Sequence, residues 1–291
     1  TAMGGFEVAL QVPTILGEGP IWSADEQALY WLDIFRPAIN RYRPDDGGHA
    51  QFPLSEPIYA LGLRAGGGYV AAMESGFAVG VFDGTRPQVW SNPNAGQPVN
   101  FNDGKVDPAG RFWSGTMAQD WESPSGTLYR LAPDGEVRAM QRDLILSNGL
   151  GWRGDGRVMY HTDFKHRTVF AYDFDAASGE IANRRPCVVL AEDDGYPDGM
   201  TVDAEDCLWV AHWDGWCVTR HAPDGAEIAR TPVPVPRPTC PAFGGADLRT
   251  LFLTSATMHL SVAQLAAAPL SGALFAMATD VPGRPEPKFA G

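Results

Sequence analysis

The sequence has 291 residues, of which 44% are hydrophobic and 20% are charged, and its net charge is −13 at pH 7. These values exclude an intrinsically disordered chain and are typical of a globular protein with a substantial core. The negative charge argues against a nucleic-acid partner, because phosphates need a basic surface. No segment approaches the roughly 18 apolar residues that a membrane-spanning helix requires, so no membrane partner is predicted.

The N-terminal sequence shows no charged segment followed by an apolar one, so no signal peptide is predicted. We interpret the opening TAMGG, residues 1–5, as a remnant of cloning. The four cysteines all lie in the C-terminal half, and the absence of a CxxC pair argues against a structural zinc site. We expect reduced thiols and a cytoplasmic protein. The cysteines are Cys187, Cys207, Cys217 and Cys240.

In chain order, the most regular predicted elements are six apolar or aromatic segments, each short enough to be a strand rather than a helix. They recur every 39 to 49 residues when aligned on Trp31, Val70, Trp113, Tyr160, Trp209 and Phe252. The segments are ALYWLDI (28–34), GYVAAMES (68–75), RFWSGTM (111–117), VMYHTDF (158–164), CLWVAHW (207–213) and TLFLTSA (250–256). Their tryptophans are predicted to pack in the core.

Two further strand-like segments accompany each repeat. One follows it and usually ends in a glycine-containing turn, as antiparallel hairpins do. These are INRYRPDDG (39–47), AVGVFDG (78–84), TLYRLAPDG (127–135), VFAYDFDAASG (169–179), CVTRHAPDG (217–225) and GALFAMATD (272–280). The other precedes it and is predicted to be the innermost strand. These are GEGPIW (17–22), EPIYALGL (56–63), NFNDGKVD (100–107), SNGLGW (147–152), YPDGMTVD (196–203) and TCPAFGG (239–245).

Six all-β units of this length are typical of a β-propeller. The sequence therefore predicts an all-β fold, a six-bladed β-propeller with four-stranded antiparallel blades around a central channel. The ring is predicted to form one domain over residues 1–291, since no domain boundary is visible. The segment SVAQLAAAPL (261–270) is predicted to form a short helical turn at most.

Polar residues occupy nearly the same position in four of the predicted innermost strands. Glu18, Asn102, Asn148 and Asp198 follow one another at intervals of 84, 46 and 50 residues, which are about two repeats, one and one. Because the innermost strands of a propeller begin at one mouth of the central channel, we expect these side chains to converge there.

Asp198 lies in a Pro-Asp-Gly sequence, which is also ordinary turn chemistry. The same three residues recur in APDG at 132–135 and 222–225, where they follow second strands and share the position of a hairpin turn. Asp198 instead precedes an innermost strand, as Glu18 and Asn148 do. Its position in the repeat therefore predicts a role that the other two aspartates do not have.

Carboxylate and amide oxygens are hard donors that suit Ca²⁺, Mg²⁺ or Mn²⁺ and tolerate Zn²⁺ or Fe²⁺. Two carboxylates and one amide leave coordination positions open for water and substrate, as in a catalytic metal site. The alternative interpretation is that NDG, NGL and PDG are turn sequences whose residues tolerate a left-handed backbone. The shared position of the four polar residues favours the metal site.

The motifs GEGPIW, FNDGKVDPAGRFWSGTM, SNGLGW and YPDGMTVD resemble those of the gluconolactonase family, which includes senescence marker protein (regucalcin) and luciferin-regenerating enzyme. The likeness runs from about Glu18 to Asp247. It implies a six-bladed propeller with one divalent metal in the channel, held by Glu18, Asn148 and Asp198. It also implies that Asn102 lies near the metal and contacts the substrate. Asp103 and Asp120 would line the same mouth.

Two positions depart from the family pattern. Many relatives have arginine two residues before the NDG asparagine, where this chain has Asn100, and the senescence-marker branch has glutamate where this chain has Asp120. Both positions contact the sugar in that family, so Asn100, Asn102 and Asp120 are the predicted substrate-binding residues. A neutral amide in place of a charged bidentate donor makes a charged substrate less favourable.

The predicted reaction is metal-dependent hydrolysis of an aldono-1,4- or 1,5-lactone to the aldonic acid. The metal would act as a Lewis acid and Asp198 as the general base, or a metal-bound hydroxide oriented by Asp198 would attack the carbonyl. Ca²⁺ is the ion predicted to bind, with Zn²⁺, Mn²⁺, Mg²⁺ and Fe²⁺ as alternatives. The rival functions are a metal-dependent aryl-ester or organophosphate hydrolase and a non-catalytic calcium-binding regulatory propeller.

Overall fold

A computed structural model describes residues 4–291, and its ordered elements are almost all β-strands. The strands form six four-stranded antiparallel sheets, which are the blades of a propeller. The prediction of an all-β, six-bladed β-propeller is therefore confirmed. The interpretations that concern residues 1–5 and a domain over 1–291 include residues 1–3, which lie outside the described residues.

Five blades each use four consecutive strands. Blade 1 contains β2 (Gly17–Ser23), β3 (Ala28–Asp33), β4 (Ala38–Arg43) and β5 (Gly48–Pro53). Blade 2 contains β6 (Ile58–Leu63), β7 (Tyr69–Met73), β8 (Gly76–Gly80) and β9 (Gln88–Ser91). Blade 3 contains β10 (Val99–Val106), β11 (Phe112–Ala118), β12 (Gly126–Leu131) and β13 (Val137–Leu144). Blade 4 contains β14 (Ser147–Trp152), β15 (Val158–Asp163), β16 (Thr168–Phe174) and β17 (Ile181–Val189). Blade 5 contains β18 (Tyr196–Val202), β19 (Leu208–Trp213), β20 (Cys217–His221) and β21 (Glu227–Pro232).

The sixth blade joins the two ends of the chain. It contains β22 (Pro238–Gly244), β23 (Thr250–Ser255) and β24 (Leu274–Ala278), and its fourth strand is the N-terminal β1 (Glu7–Leu10). Strand β1 pairs antiparallel with β24, with Val8 opposite Phe275. The innermost strands β2, β6, β10, β14, β18 and β22 each contact the innermost strands of both neighbouring blades, which closes the ring. The sequence did not predict this exchange of β1, because nothing local marks four residues as the edge of a distant sheet.

The predicted segments agree with the observed strands, and the short helical element is also confirmed. Residues Val262–Ala267 form α1, which begins at a capping box in which Ser261 and Gln264 exchange side-chain and backbone hydrogen bonds. A single 3₁₀ turn spans Glu192–Asp194. Among residues 4–291, no helix has the length and apolar character needed to cross a membrane. All four cysteines are free, and only Cys187 is not fully buried.

Blades 3 and 5 share a buried hydrogen-bond arrangement in which an aspartate positions a core tryptophan. In DPAGRFW (107–113), the Asp107 carboxylate accepts hydrogen bonds from Trp113 Nε1 at 2.9 Å and Arg111 Nε at 2.6 Å. In DAEDCLW (203–209), Asp203 accepts a hydrogen bond from Trp209 Nε1, also at 2.9 Å. Both tryptophans are completely buried, so the prediction that these repeat aromatics belong to the core is confirmed.

Every innermost strand contains a β-bulge near its first residues. The register shifts lie at Glu18/Ile21, Ile58/Ala60, Phe101/Gly104, Ser147/Leu150, Pro197/Met200 and Pro238/Pro241. A bulge leaves a residue outside the regular ladder and changes the direction of its side chain. Asn102, Asn148 and Asp198 are bulged residues and Glu18 borders a bulge, so the fold aims these side chains away from the flat face of each blade.

The C-terminal segment 279–291, here called the tail, covers the channel end that lies opposite the bulges. Its backbone pairs with the turns that follow the innermost strands: Ala204 N donates to Pro282 O at 2.9 Å, and Ala290 N donates to Gly110 O at 3.0 Å. Phe289 is completely buried in the largest hydrophobic cluster of the described residues. Within the channel, Lys105 Nζ lies 3.8 Å from Glu286 Oε1. The tail therefore closes one end, and the bulges face the open one.

Candidate metal centre

The four polar residues singled out from the repeat line one cavity at the open end of the channel. Glu18, Asn102, Asn148 and Asp198 come from four different blades and reach this cavity together. It measures about 40 Å³, more than the roughly 10–15 Å³ that one water requires. The cavity is thus large enough for an ion with a water molecule beside it.

The glycine after Asp198 explains why this Pro-Asp-Gly sequence differs from the two hairpin turns. Gly135 and Gly225 have φ angles of 93° and 92°, the left-handed conformation that a turn requires, whereas Gly199 has no positive φ. A Cβ atom on Gly199 would lie 2.5 Å from the Cβ and Sγ atoms of Cys240. Gly199 is therefore needed for the close approach of blades 5 and 6, and Asp198 lies inside strand β18 rather than in a turn.

The electrostatics of the cavity favour a cation. Burial, followed by the carboxylates of Asp198 and Asp103, raises the pKa of Glu18 well above its usual value. Burial, followed by Asp103, likewise raises the pKa of Asp198. The pKa of Asp103 is raised to about 6 by burial, although Lys105 opposes the shift. Three buried carboxylates thus repel one another, and the nearest ammonium group already faces Glu286.

Asn148 adds an unsatisfied acceptor at the same place. Its side chain is 3% exposed, and its Oδ1 atom has no hydrogen-bond partner within residues 4–291. A buried acceptor without a partner costs about 1–3 kcal/mol. Glu18 uses Oε2 to accept a hydrogen bond from Gly19 N at 3.0 Å, which leaves Oε1 available. A divalent cation would satisfy these oxygens and offset the repulsion, so the residues fit a metal.

This donor set differs from a cluster built only from ionisable ligands. The described residues contain no group of three or more His, Cys, Asp and Glu side chains placed to hold a metal. Here two carboxylates are combined with an amide oxygen, which is typical of sites for hard cations. Asn102 is oriented by its own hydrogen bond, because Nδ2 donates to Ser147 O at 2.8 Å. Its Oδ1 atom is therefore the group that remains for a ligand.

The other two predicted substrate residues lie near the mouth but outside the cavity lining. Asn100 Oδ1 accepts a hydrogen bond from Gln119 Nε2 at 3.3 Å. Asp120 is exposed and accepts from the backbone N–H groups of Glu122 and Ser123, each at 2.9 Å. The Ser123 hydroxyl and these N–H groups lower the pKa of Asp120 to about 2. The structure thus shows Asp120 organising its own loop, and its contact with substrate stays a prediction.

Seven apolar side chains complete the cavity, and we call them the apolar wall. They are Leu16, Met117, Trp121, Leu146, Phe164, Trp213 and Met258. These residues were not predicted to belong to the site, because apolar residues in a repeat resemble core residues. A signal was present nonetheless, since Met117, Phe164 and Trp213 lie at or just after the end of second strands, 47 and 49 residues apart.

Comparisons with known proteins place these features in a family context. The family described as SMP-30/Gluconolactonase/LRE-like region matches residues 16–257. The 6-deoxy-6-sulfogluconolactonase of Pseudomonas putida is 38% identical over 98% of this chain and 99% of its own. Pentonolactonase XacC of Haloferax volcanii is 37% identical over 93% of each chain. A solved structure, the calcium-binding protein regucalcin from Agrobacterium tumefaciens, is 28% identical, with a TM-score of 0.94 over 99% of this chain and 98% of that one.

Proposed function

The chain belongs to the SMP-30/gluconolactonase/LRE-like family, and from that premise we propose that it hydrolyses an aldono-1,4- or 1,5-lactone to the aldonic acid with the help of one divalent metal ion. At the level of enzyme class it is a sugar lactonase, since relatives 37% and 38% identical over nearly the whole chain are named lactonases. The observation that carries the proposed metal site is the unpartnered Oδ1 atom of Asn148, buried beside two carboxylates of raised pKa.

Each site residue has a proposed task. A metal held by Glu18, Asn148 and Asp198 would polarise the lactone carbonyl and stabilise the charge of the tetrahedral intermediate. Asp198 accepts the proton of the attacking water as the general base. The water oxygen bonds to the carbonyl carbon, the bond from that carbon to the ring oxygen breaks, and the proton passes from Asp198 to the departing ring oxygen. The lactone and one water molecule thus give a single hydroxy acid, with every atom accounted for.

The residues at the mouth are proposed to bind the substrate. Asn102 can accept a hydrogen bond from a lactone hydroxyl through Oδ1, because Nδ2 is held by the Ser147 carbonyl. Asn100 and Asp120 are proposed to contact more distant hydroxyls from the rim. Ca²⁺ is the proposed ion, which a calcium-binding solved relative supports. A cytoplasmic location is proposed because all four cysteines are free, which suits a reducing compartment.

Removal of the metal tests this proposal. We expect treatment with a chelator to abolish lactone hydrolysis, because it removes the ion that would polarise the lactone carbonyl. Adding back Ca²⁺, Zn²⁺, Mn²⁺ or Mg²⁺ in separate reactions should restore activity and identify the ion. The measurement is a pH-indicator assay of aldonolactones, corrected for spontaneous hydrolysis, with protein dialysed without chelator as the control.

Three results would count against the proposal. The first is full lactonase activity in protein shown by metal analysis to contain no metal, which would eliminate the role of the metal. No lactone turnover with any ion, together with hydrolysis of a phosphotriester, would favour the organophosphate hydrolase instead. Tight calcium binding with no turnover of either substrate would favour the regulatory propeller.

A further inference from the structure

The apolar wall affects which lactone substituents the candidate site can bind, independently of its polar donors. Seven of the eleven side chains that line the cavity are apolar or aromatic, and none of the eleven is Lys, Arg or His. Apart from the indole N–H groups of Trp121 and Trp213, the wall offers a fully hydroxylated sugar no strong hydrogen-bond donor or acceptor. Polar groups buried without partners are strongly disfavoured, whereas a methyl group gains by the same contact.

The wall is also held rigidly. Met117, Leu146 and Phe164 pack into one cluster with Trp121 and Trp213 against it. The Phe164 ring stacks on the Tyr196 ring with centroids 4.7 Å apart and planes 5° apart. These contacts pack the rings against one another and keep the apolar side chains at the cavity. The apolar surface of the wall is therefore a fixed property of the cavity.

The two arginines that pack on Trp213 and on the supporting Tyr196 ring already have partners. The Arg237 guanidinium lies 4.7 Å from the centroid of the Trp213 ring and pairs with Asp214, Nε to Oδ1, at 2.6 Å. The Arg167 guanidinium lies 3.9 Å from the centroid of the Tyr196 ring and donates to the Gly195 carbonyl. None of the eleven lining side chains is a cation, so an anionic substituent would lose its hydration against the apolar wall without gaining a charged partner there. Burying a charge without a partner is strongly disfavoured.

We propose that the natural substrate is an uncharged lactone with an apolar substituent, such as a methyl group in place of a hydroxymethyl group, and that this wall excludes anionic lactones. The inference rests on the proposed lactonase function and adds the substrate class. It also predicts a substrate preference different from that of the relative named 6-deoxy-6-sulfogluconolactonase, whose name specifies a substrate with an anionic group. A difference of one small group in an apolar pocket changes kcat/KM by about 10–200-fold.

Three lactones that differ only at C6 test the proposal on the unmodified holoenzyme. They are 6-deoxygluconolactone, gluconolactone and 6-deoxy-6-sulfogluconolactone, which carry a methyl, a hydroxymethyl and a sulfonate-bearing carbon. We expect kcat/KM to fall in that order, by roughly 10-fold at the first step and further at the second. Equal values for all three, or the highest value for the sulfonated lactone, would overturn the proposal.

A variant of the wall provides a second, independent readout. Met258→Lys introduces a cation at the wall, so we expect it to raise kcat/KM for the sulfonated lactone relative to the deoxy lactone by roughly 10-fold. Met258→Leu is the matched control and should leave the order unchanged, with thermal unfolding checking that both variants fold. No change of the ratio in Met258→Lys would contradict the role of the wall. If the wild type hydrolyses none of the three lactones, the proposed lactonase function is wrong, and the experiment does not reach the proposed substrate preference.

Discussion

Asp198→Asn lowers kcat/KM for aldonolactones by about 10³-fold or more, because one substitution removes both the proposed charged metal ligand and the proposed proton acceptor. The change keeps the size of the side chain, so strand β18 and its bulge are retained. Steady-state kinetics and the amount of metal bound per chain are the measurements. Activity near the wild-type value would eliminate Asp198 as general base and as ligand.

Asp224→Asn is the matched control for this variant, since it alters the same residue in the same Pro-Asp-Gly sequence. Asp224 is exposed at a hairpin turn, where its Oδ1 atom accepts a hydrogen bond from Ala226 N at 3.0 Å. Asparagine retains that Oδ1 acceptor, so activity and stability should stay close to wild type. An equal loss of activity in both variants would show that the effect is structural.

Stability without metal gives a further check on Asp198→Asn. Burial and the neighbouring Asp103 raise the pKa of Asp198 above its unfolded value. A carboxyl of raised pKa favours the folded state when protonated, and this benefit disappears as the pH rises through the folded pKa. At pH 7 the metal-free variant should therefore unfold at a temperature no lower than metal-free wild type. A marked decrease would contradict the repulsion among the site carboxylates.

Phe289→Ala lowers the free energy of unfolding by about 3–5 kcal/mol, because it empties a completely buried aromatic position in the core. For a chain of this size the midpoint of thermal unfolding should fall by roughly 10 °C. The loss also loosens the tail, whose backbone is held there by the hydrogen bond from Phe289 N to Leu63 O at 2.7 Å. Calorimetry or denaturant unfolding measures the effect.

Phe35→Ala is the control for this prediction, because Phe35 is 50% exposed and should cost far less stability when truncated. Similar losses in the two variants would contradict the view that the tail is part of the core. Unchanged stability in Phe289→Ala would show that the tail only covers the channel end. The candidate site lies at the other end, so the proposed metal binding is expected to persist in folded Phe289→Ala protein.

The strands and their repeat were predictable because their causes are local. Short apolar segments bounded by glycine-containing turns favour strands, and six of them at regular intervals indicate blades. The family motifs supplied the expected ligands Glu18, Asn148 and Asp198, and the repeat had already grouped these three with Asn102. The structure brings all four to one cavity. Their roles in metal and substrate binding stay predictions.

Other features depend on contacts between parts of the chain that are far apart. Strand β1 pairs with β24, and Phe289 packs beside Leu63, although more than 200 residues separate the partners in each case. Neither composition nor a turn sequence predicts such a pairing, because the stabilising contacts form only when the two distant segments meet in the folded chain. The bulges that aim Asn148 and Asp198 are likewise a property of strand pairs and not of single strands.

The sequence by itself determined the all-β propeller, the number of blades and the position of the polar residues in the repeat, since each follows from periodicity along the chain. Only the tertiary structure decided that Gly199 serves a close approach between blades, that Asn148 Oδ1 has no partner and that apolar side chains surround the donors. The physical reason is that an apolar residue looks the same in a core as in a cavity wall. Which of the two it becomes depends on neighbours that arrive from other blades.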